Sequence, residues 1–402
     1  MHFSPRIQTL SSAEAVSGHD RVRDIDVLRG FALLGILLVN VQSMAGPHVG
    51  PGGEAVVSWV DEVAGWLVTA LVSAKFYLLF SFLFGYSFTL QRLSAERAGV
   101  PFGPRHLRRL GCLFLLGLAH GVLLFPGDIL MEYAALSLVL FAVRDIVPRT
   151  ALRAAAWLVV GVAMCLLAWG LFTAAVAEPL RPQDVTAAAH EMAADRRGGP
   201  GSVVRANVRW LRDELGWNVL YGADMLAAFL VGLAAGRRRL LADTGRHRAW
   251  MVQIAVTGLP VGLAGGVFMA ICRNGPLDAR WYEVGSAVGV LTAPALTAAY
   301  ACGLLLLSRR LSRTRSGRHV VGLLAGAGRL SLTHYLTQSL VMALVFTGYG
   351  LGWYGRYGTG AVLAGCFVLY AAQLATGKWL LRRVRYGPAE WLLRAATLAR
   401  RP

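Results

Sequence analysis

Residues 24–40 read DIDVLRGFALLGILLVN. Asp24, Asp26 and Arg29 come first, and an apolar run then extends to Asn40. Continued to residue 45, the run is long enough to cross a hydrocarbon layer ~30 Å thick at ~1.5 Å rise per helical residue. Similar runs follow at 76–93, 107–125, 129–147, 151–177, 218–236, 249–271, 284–307, 320–349 and 360–381. The pattern predicts an all-α integral membrane protein with about ten transmembrane helices.

Composition agrees with that class. Of 402 residues, 56% are hydrophobic and 15% charged, against about 25% charged in soluble domains. The first 25 residues are polar and hold no apolar h-region, so no cleaved signal peptide is expected. Cys112, Cys165, Cys272, Cys302 and Cys366 form no CxxC pair and read as small core residues.

The net charge of +18 is distributed by topology. Basic residues concentrate at Arg21 and Arg23, Arg92 to Arg109, Arg144 to Arg153, Arg237 to Arg248, Arg309 to Arg318, and Lys378 to Arg401. The alternate connections 46–55 and 126–128 hold none. The positive-inside rule then puts both termini in the cytoplasm of a cell-membrane protein. Anionic lipid headgroups, and not nucleic acid, are the partners this charge implies. The expected organisation is an N-terminal tail over 1–26, one transmembrane domain over 27–381, and a basic tail over 382–402.

Residues 56–74 are apolar enough to resemble a further span, but counting it would put Arg92 to Arg109 outside. Trp59, Val60, Val63, Trp66, Leu67, Ala70 and Leu71 share one helical face. Ser58, Asp61, Glu62, Gly65, Thr69 and Ser73 share the other. This predicts an extracytoplasmic amphipathic helix that does not cross. The long connection 178–217 is expected on the same side, with a second helical stretch carrying Val204, Val208, Leu211 and Leu215 and capped by Ser202.

Ionisable groups inside spans are costly and usually face protein or water, so they mark candidate sites. Asp24, Asp26, Arg29 and Asn40 form one cluster. His120, between Gly117 and Gly121, forms a second with Asp128 and Glu132 across the Pro126-Gly127 turn, and Asp128 is placed to cap the next helix. Arg329, Ser331, Thr333, His334, Gln338 and Ser339 form a third; Lys75, Tyr77 and Asp224 complete the set. Interhelical hydrogen bonding competes with a ligand role for each cluster. HExxH, GxSxG and Walker patterns are absent, and no histidine spacing supports a metal site.

Five blocks carry a resemblance: RVRDIDVLRGFALLGILLVN, KFYLLFSFLFGYSF, RRLGCLFLLGLAHGVLLFPGDIL, GRLSLTHYLTQSL and RRVRYGPAEWLLR. They resemble the bacterial YeiB-type family, the domain of unknown function numbered 418, along nearly the whole chain. The opening block also resembles the wider transmembrane acyltransferase superfamily, which implies a transmembrane acyltransferase-like fold. That resemblance implies acyl transfer from cytosolic acyl-CoA, as co-substrate, to a glycan, lipid or small-molecule acceptor on the far side. Many superfamily O-acyltransferases carry His eleven residues after the Arg that Arg29 matches, and this chain has Asn40 there. The resemblance and the polar clusters together make His120, Asn40 and Asp128 the catalytic candidates, with His120 favoured over His48. Arg29, Lys75, Glu132, Arg329, His334 and Gln338 are the substrate-binding candidates. Arg23, Arg105, Arg108 and Arg109 are the candidates for CoA phosphates. The competing class is a transporter or a small-molecule or lipid-binding protein with the same fold. A homodimer is compatible with either.

Overall fold

The computed structural model describes residues 12–46, 58–178, 181–241, 245 and 247–399. His48 lies outside the described residues. All regular elements described are helices. The first five are α1 (Ser12–Ala45), α2 (Trp59–Leu67), α3 (Lys75–Arg97), α4 (Phe102–Leu123) and α5 (Leu130–Ala142). Next come α6 (Pro148–Val176), α7 (Pro182–Arg197), α8 (Pro200–Asp213), α9 (Leu215–Arg237) and α10 (Arg248–Asn274). The last five are α11 (Tyr282–Leu311), α12 (Arg315–Arg329), α13 (Ser331–Phe346), α14 (Thr359–Arg383) and α15 (Pro388–Leu398).

Among the described residues, 7 helical stretches are long and apolar enough to cross a membrane. They lie in α1, in the α2–α3 stretch, and in α6, α9, α10, α11 and α14. The outer faces fit a bilayer: Trp157, Met164 and Phe172 on α6 are exposed, as lipid-facing residues must be. Cys165 is exposed on this helix too, whereas Cys272, Cys302 and Cys366 are buried as small core residues. The chain is a multi-pass membrane protein.

Three of the ten expected spans fall outside these seven stretches. The run 129–147 yields only the 13-residue α5, ~20 Å long at ~1.5 Å per residue. The run 320–349 is divided into α12 and α13 at Leu330. The run 107–125 belongs to α4, whose first half carries Arg105, His106, Arg108 and Arg109 and lowers its hydropathy.

Within the expected 56–74 segment, the described residues form a separate helix from Trp59. Ser58 and Asp61 build a capping box at the start of α2, which satisfies free N–H groups at both residues. A π turn continues to Val72, and Ala74 then adopts a left-handed conformation (φ 67°) before α3 begins. Trp59, Val60, Val63 and Leu67 are exposed, as the amphipathic pattern predicts. Thr69, expected on the polar face, is instead buried. Asp61 Oδ1 also accepts from Gly360 N at 2.8 Å, which ties α2 to the start of α14.

Helix pairing follows from close backbone approach, the main source of association between membrane helices. α10 runs along α11, α3 along α9, α6 along α9, and α1 along α12. A Cβ on Gly30 would lie 2.1 Å from the Leu324 carbonyl oxygen, and one on Gly328 would lie 1.8 Å from that of Asp26. Only glycine permits the α1–α12 contact at these two points. In the 178–217 connection α7 and α8 form as two helices, but α8 starts at Pro200 after Gly199. Ser202 therefore lies inside its first turn and is not its cap. Residues 388–398, within the expected basic tail, form α15 packed on α4 and α13.

Candidate functional site

The last turn of α4 carries His120, and Asp128 follows five residues after that helix ends. His120 Nδ1 lies 2.8 Å from Asp128 Oδ1, with the two side chains 1% and 0% exposed. The approach is too oblique for a strict hydrogen bond, and Nε2 has no hydrogen-bond partner among the described residues. Asp128 Oδ2 accepts from Met131 N at 2.9 Å, so Asp128 caps the first turn of α5 from the position before its N-cap residue, Ile129. Its Oδ1 also accepts from the Tyr335 hydroxyl at 3.2 Å. The Tyr335 ring lies 5.0 Å from the His120 ring, centroid to centroid.

Gly117 makes this approach sterically possible. A Cβ there would stand 2.4 Å from Met131 N and 2.6 Å from Asp128 Oδ2. From the 178–217 connection, α8 packs over the same end of α4. Buried Asn207 donates to the Val122 carbonyl at 3.0 Å and accepts from Arg196.

A cavity of about 530 Å³ opens at the end of the bundle that holds the basic connections. Arg29, Arg105, Arg109, Arg329 and Arg394 line it, with Glu390 the acid among its lining residues. Glu390 is already engaged: it accepts from Leu332 N, Thr333 N and Thr333 Oγ1 at 2.8, 3.0 and 2.5 Å. Arg29 pairs with Asp26 at 3.3 Å and donates to Ser87 Oγ at 2.5 Å. Arg109 has no ion pair among the described residues, and its Nε is buried and unpartnered. Deeper in, the walls are apolar: Ile36, Phe80, Phe84, Leu113, Ile129 and Leu130. Tyr133 and Tyr335 also line it. Tyr335 thus touches the cavity on one side and the His120–Asp128 pair on the other.

The structure brings His120 and Asp128 together, and gathers Arg29, Arg105, Arg109 and Arg329 around one cavity. Glu132 is half-buried one turn after Asp128. Asn40 is half-buried on α1 and makes no side-chain hydrogen bond among the described residues. Other candidates lie elsewhere. Lys75 is 1% exposed and donates to the Thr69 carbonyl at 3.3 Å. Tyr77 donates to Asp224 Oδ2 at 2.7 Å in the α3–α9 contact. Gln338 joins Gln373 at 2.8 Å, and Gln373 donates to the His334 carbonyl at 3.1 Å. This is interhelical bonding between α13 and α14, with the His334 ring set against Gly377. Arg108 lines a shallow groove beside Cys112, and Arg23 lines a separate basic cavity. Among the described residues no three His, Cys, Asp or Glu side chains gather as a metal site requires.

Several lining residues escaped the sequence reading, among them Arg394 and Glu390 of α15, Tyr335 and His106. Tyr335 sits in the polar block at 326–340, but nothing local marks it as the partner of a residue 207 positions away. His106 is 2% exposed, stacked against Phe102 and Phe141, with Nε2 3.1 Å from Ser137 Oγ. In the sequence it is masked by the basic run around it.

The chain is 30% identical to uncharacterized protein YxaH of Bacillus subtilis (strain 168) over 410 residues, covering 96% of this chain and 97% of that protein. The model of the family described as "Protein of unknown function (DUF418)" matches residues 235–400. The chain belongs to this family. Uncharacterized protein YeiB of Escherichia coli (strain K12) is 29% identical over 388 residues, covering 93% of this chain and 95% of that one. An uncharacterized 39.9 kDa protein in the amylase 3′ region of Bacillus acidopullulyticus is 26% identical over 396 residues, covering 95% of each. No solved structure matches the chain. In DUF418 terms, the matched region holds Tyr335 and Arg329, while His120 and Asp128 lie N-terminal to it.

Proposed function

We propose that this protein is a membrane acyltransferase that uses an acyl-CoA at its basic end. The observation that carries the reading is Tyr335, which separates an arginine-mouthed cavity from a buried His–Asp pair. By the positive-inside rule the basic end is cytoplasmic, so a soluble, phosphate-bearing donor reaches Arg105, Arg109 and Arg394 from that side. Guanidinium groups grip phosphate bidentately, and the apolar depth suits an acyl chain.

In this reading, Asp128 holds the His120 imidazole and Nε2 takes the proton from an acceptor hydroxyl or amine. The acceptor atom bonds to the thioester carbonyl carbon. Tyr335, once its hydroxyl turns from Asp128, or Asn40 after a side-chain adjustment, donates to the developing oxyanion. The C–S bond then breaks, and the proton on His120 passes to the departing thiolate. The acceptor approaches from the opposite end, under α7 and α8. The competing reading is a lipid or small-molecule binder or transporter with the same fold; Asn40, in place of the superfamily's His and with no side-chain hydrogen bond among the described residues, favours it.

Binding separates the two. Purified protein should bind CoA in low salt, and Arg105→Gln with Arg109→Gln should weaken that binding by tenfold or more. Absence of CoA binding by the wild-type protein at low salt removes the donor site and leaves the competing reading.

A further inference from the structure

A second basic cavity, of about 810 Å³, lies between α1, α12 and α14. Arg23, Arg318, Arg329, Arg382 and Arg385 line it. Lys378 and His319 join them, with Nζ and Nε2 3.5 Å apart. Asp26 is the acid among the lining residues, and it is paired with Arg29. None of the lining Arg or Lys side chains has an ion pair among the described residues. Arg318 and Arg329 reach only the carbonyls of Ser312 and Arg385, at 3.3 and 3.4 Å.

Topology requires basic residues at this end of the bundle, but it does not require them to face one another in a hollow. Like charges converging in a concavity raise the free energy of the empty site, and an anion relieves it. The close α1–α12 backbone contact at Gly30 and Gly328 fixes one wall of this hollow.

We infer that this cavity binds a phosphate group, presented by the headgroup of an anionic lipid or by a small soluble phosphate. Arginine dominates the lining, and its planar fork matches phosphate oxygens. The surroundings favour the lipid source. Leu323 and Leu381 form an apolar wall beside the cations. On the same stretch of α14, exposed Trp379 lies under the Arg383 guanidinium at 4.8 Å, the type of pair that sits at a membrane–water interface. The inference stands apart from acyl transfer: Arg329 and Tyr386 line both cavities and Arg23 was a sequence candidate for the donor, but Arg318, Lys378, Arg382 and Arg385 line this cavity and not the other.

The test uses the full-length protein purified in neutral detergent at low ionic strength. Dioctanoyl-phosphatidylglycerol, dioctanoyl-phosphatidylcholine and inorganic pyrophosphate are titrated separately, and bound ligand is counted by native mass spectrometry. Wild type should bind phosphatidylglycerol at least tenfold more tightly than the Arg318→Gln/Lys378→Gln/Arg382→Gln variant. Phosphatidylcholine, whose headgroup has no net charge, should bind weakly to both. Pyrophosphate binding that is lost in the same variant assigns the site to phosphate from either source. Its absence, with phosphatidylglycerol retained, assigns the site to the lipid. Lys378→Gln alone, compared with the charge-matched Arg356→Gln at the opposite end, covers the case in which the triple variant does not fold; only Lys378→Gln should weaken binding. Equal affinities in wild type and variant, or no anion binding by wild type, overturn the inference.

Discussion

His120 Nδ1 and Asp128 Oδ1 lie 2.8 Å apart in a setting that excludes water from both side chains. The Pro126-Gly127 turn returns the chain to α4 within a few residues, and Gly117 leaves the room that the carboxylate occupies. Asp128 serves three partners at once: Oδ1 meets His120 and the Tyr335 hydroxyl, and Oδ2 caps the first turn of α5 through Met131 N. The cap and the pairing with His120 can be separated by substitution.

Asp128→Asn keeps a side chain that caps a helix as well as Asp does, but removes the charge. It should retain thermal stability to within about 0.5 kcal/mol of the cap's contribution while impairing turnover. Asp128→Ala should lose both, at about 1 kcal/mol for the cap. Thermal melts of the two variants beside a turnover assay check this. Equal destabilisation by both would show that the charge, and not the cap, holds α5.

Gly117→Ala should destabilise the protein by about 1–3 kcal/mol, the usual cost of forcing volume into a packed site. The obstructing atoms are Met131 N and the Asp128 carboxylate, neither of which is the free end of a long side chain. Gly111→Ala on the same helix, where an added Cβ meets nothing within 4 Å, is the control and should be neutral or slightly stabilising. Melting temperatures in one detergent decide between them.

The turn between α5 and α6 should loosen in acid. Arg92 donates to Asp145 Oδ1 at 2.7 Å and to the Arg144 carbonyl at 3.3 Å. The Arg92 hydrogen bond holds the Asp145 carboxyl below its ordinary value of 3.8. A carboxyl with a depressed folded value stabilises above the unfolded value and loses that contribution as pH falls through the folded one. Protection from hydrogen exchange across 143–147, taken relative to the intrinsic rate at each pH, should therefore fall below about pH 4, near the unperturbed carboxylate range. In Arg92→Gln that protection should be low at neutral pH and change little on acidification.

The helical membrane class was legible because apolar runs and basic connections are local patterns. The span count was less so, and the α12–α13 break shows why. The first N–H groups of α13, at Leu332 and Thr333, are satisfied by Glu390 from α15. No pattern within 320–349 announces a cap 57 residues away. The separation of α2 from α3 depends on the left-handed Ala74, a conformation that its residue type does not signal. His120 and Asp128 could be paired from sequence because one short turn joins their helices. Tyr335 could not, since its place in the site is set by how α13 packs. The convergence of Arg29 with Arg105 and Arg109 was expected of groups that would meet an anionic donor; the fold sets these three around one cavity and leaves Arg23 and Arg108 outside it.

Acyl transfer itself is tested most directly by release of CoA thiol in proteoliposomes. Wild-type protein and His120→Ala are reconstituted at matched amounts and supplied with acyl-CoA donors of several chain lengths and a membrane-extract acceptor pool. We expect thiol release that needs the acceptor pool and falls by about 10²-fold or more in His120→Ala, the usual share of a general base, with the melting temperature of the variant largely kept. Acceptor-dependent release that is equal in wild type and His120→Ala would contradict the catalytic role of His120.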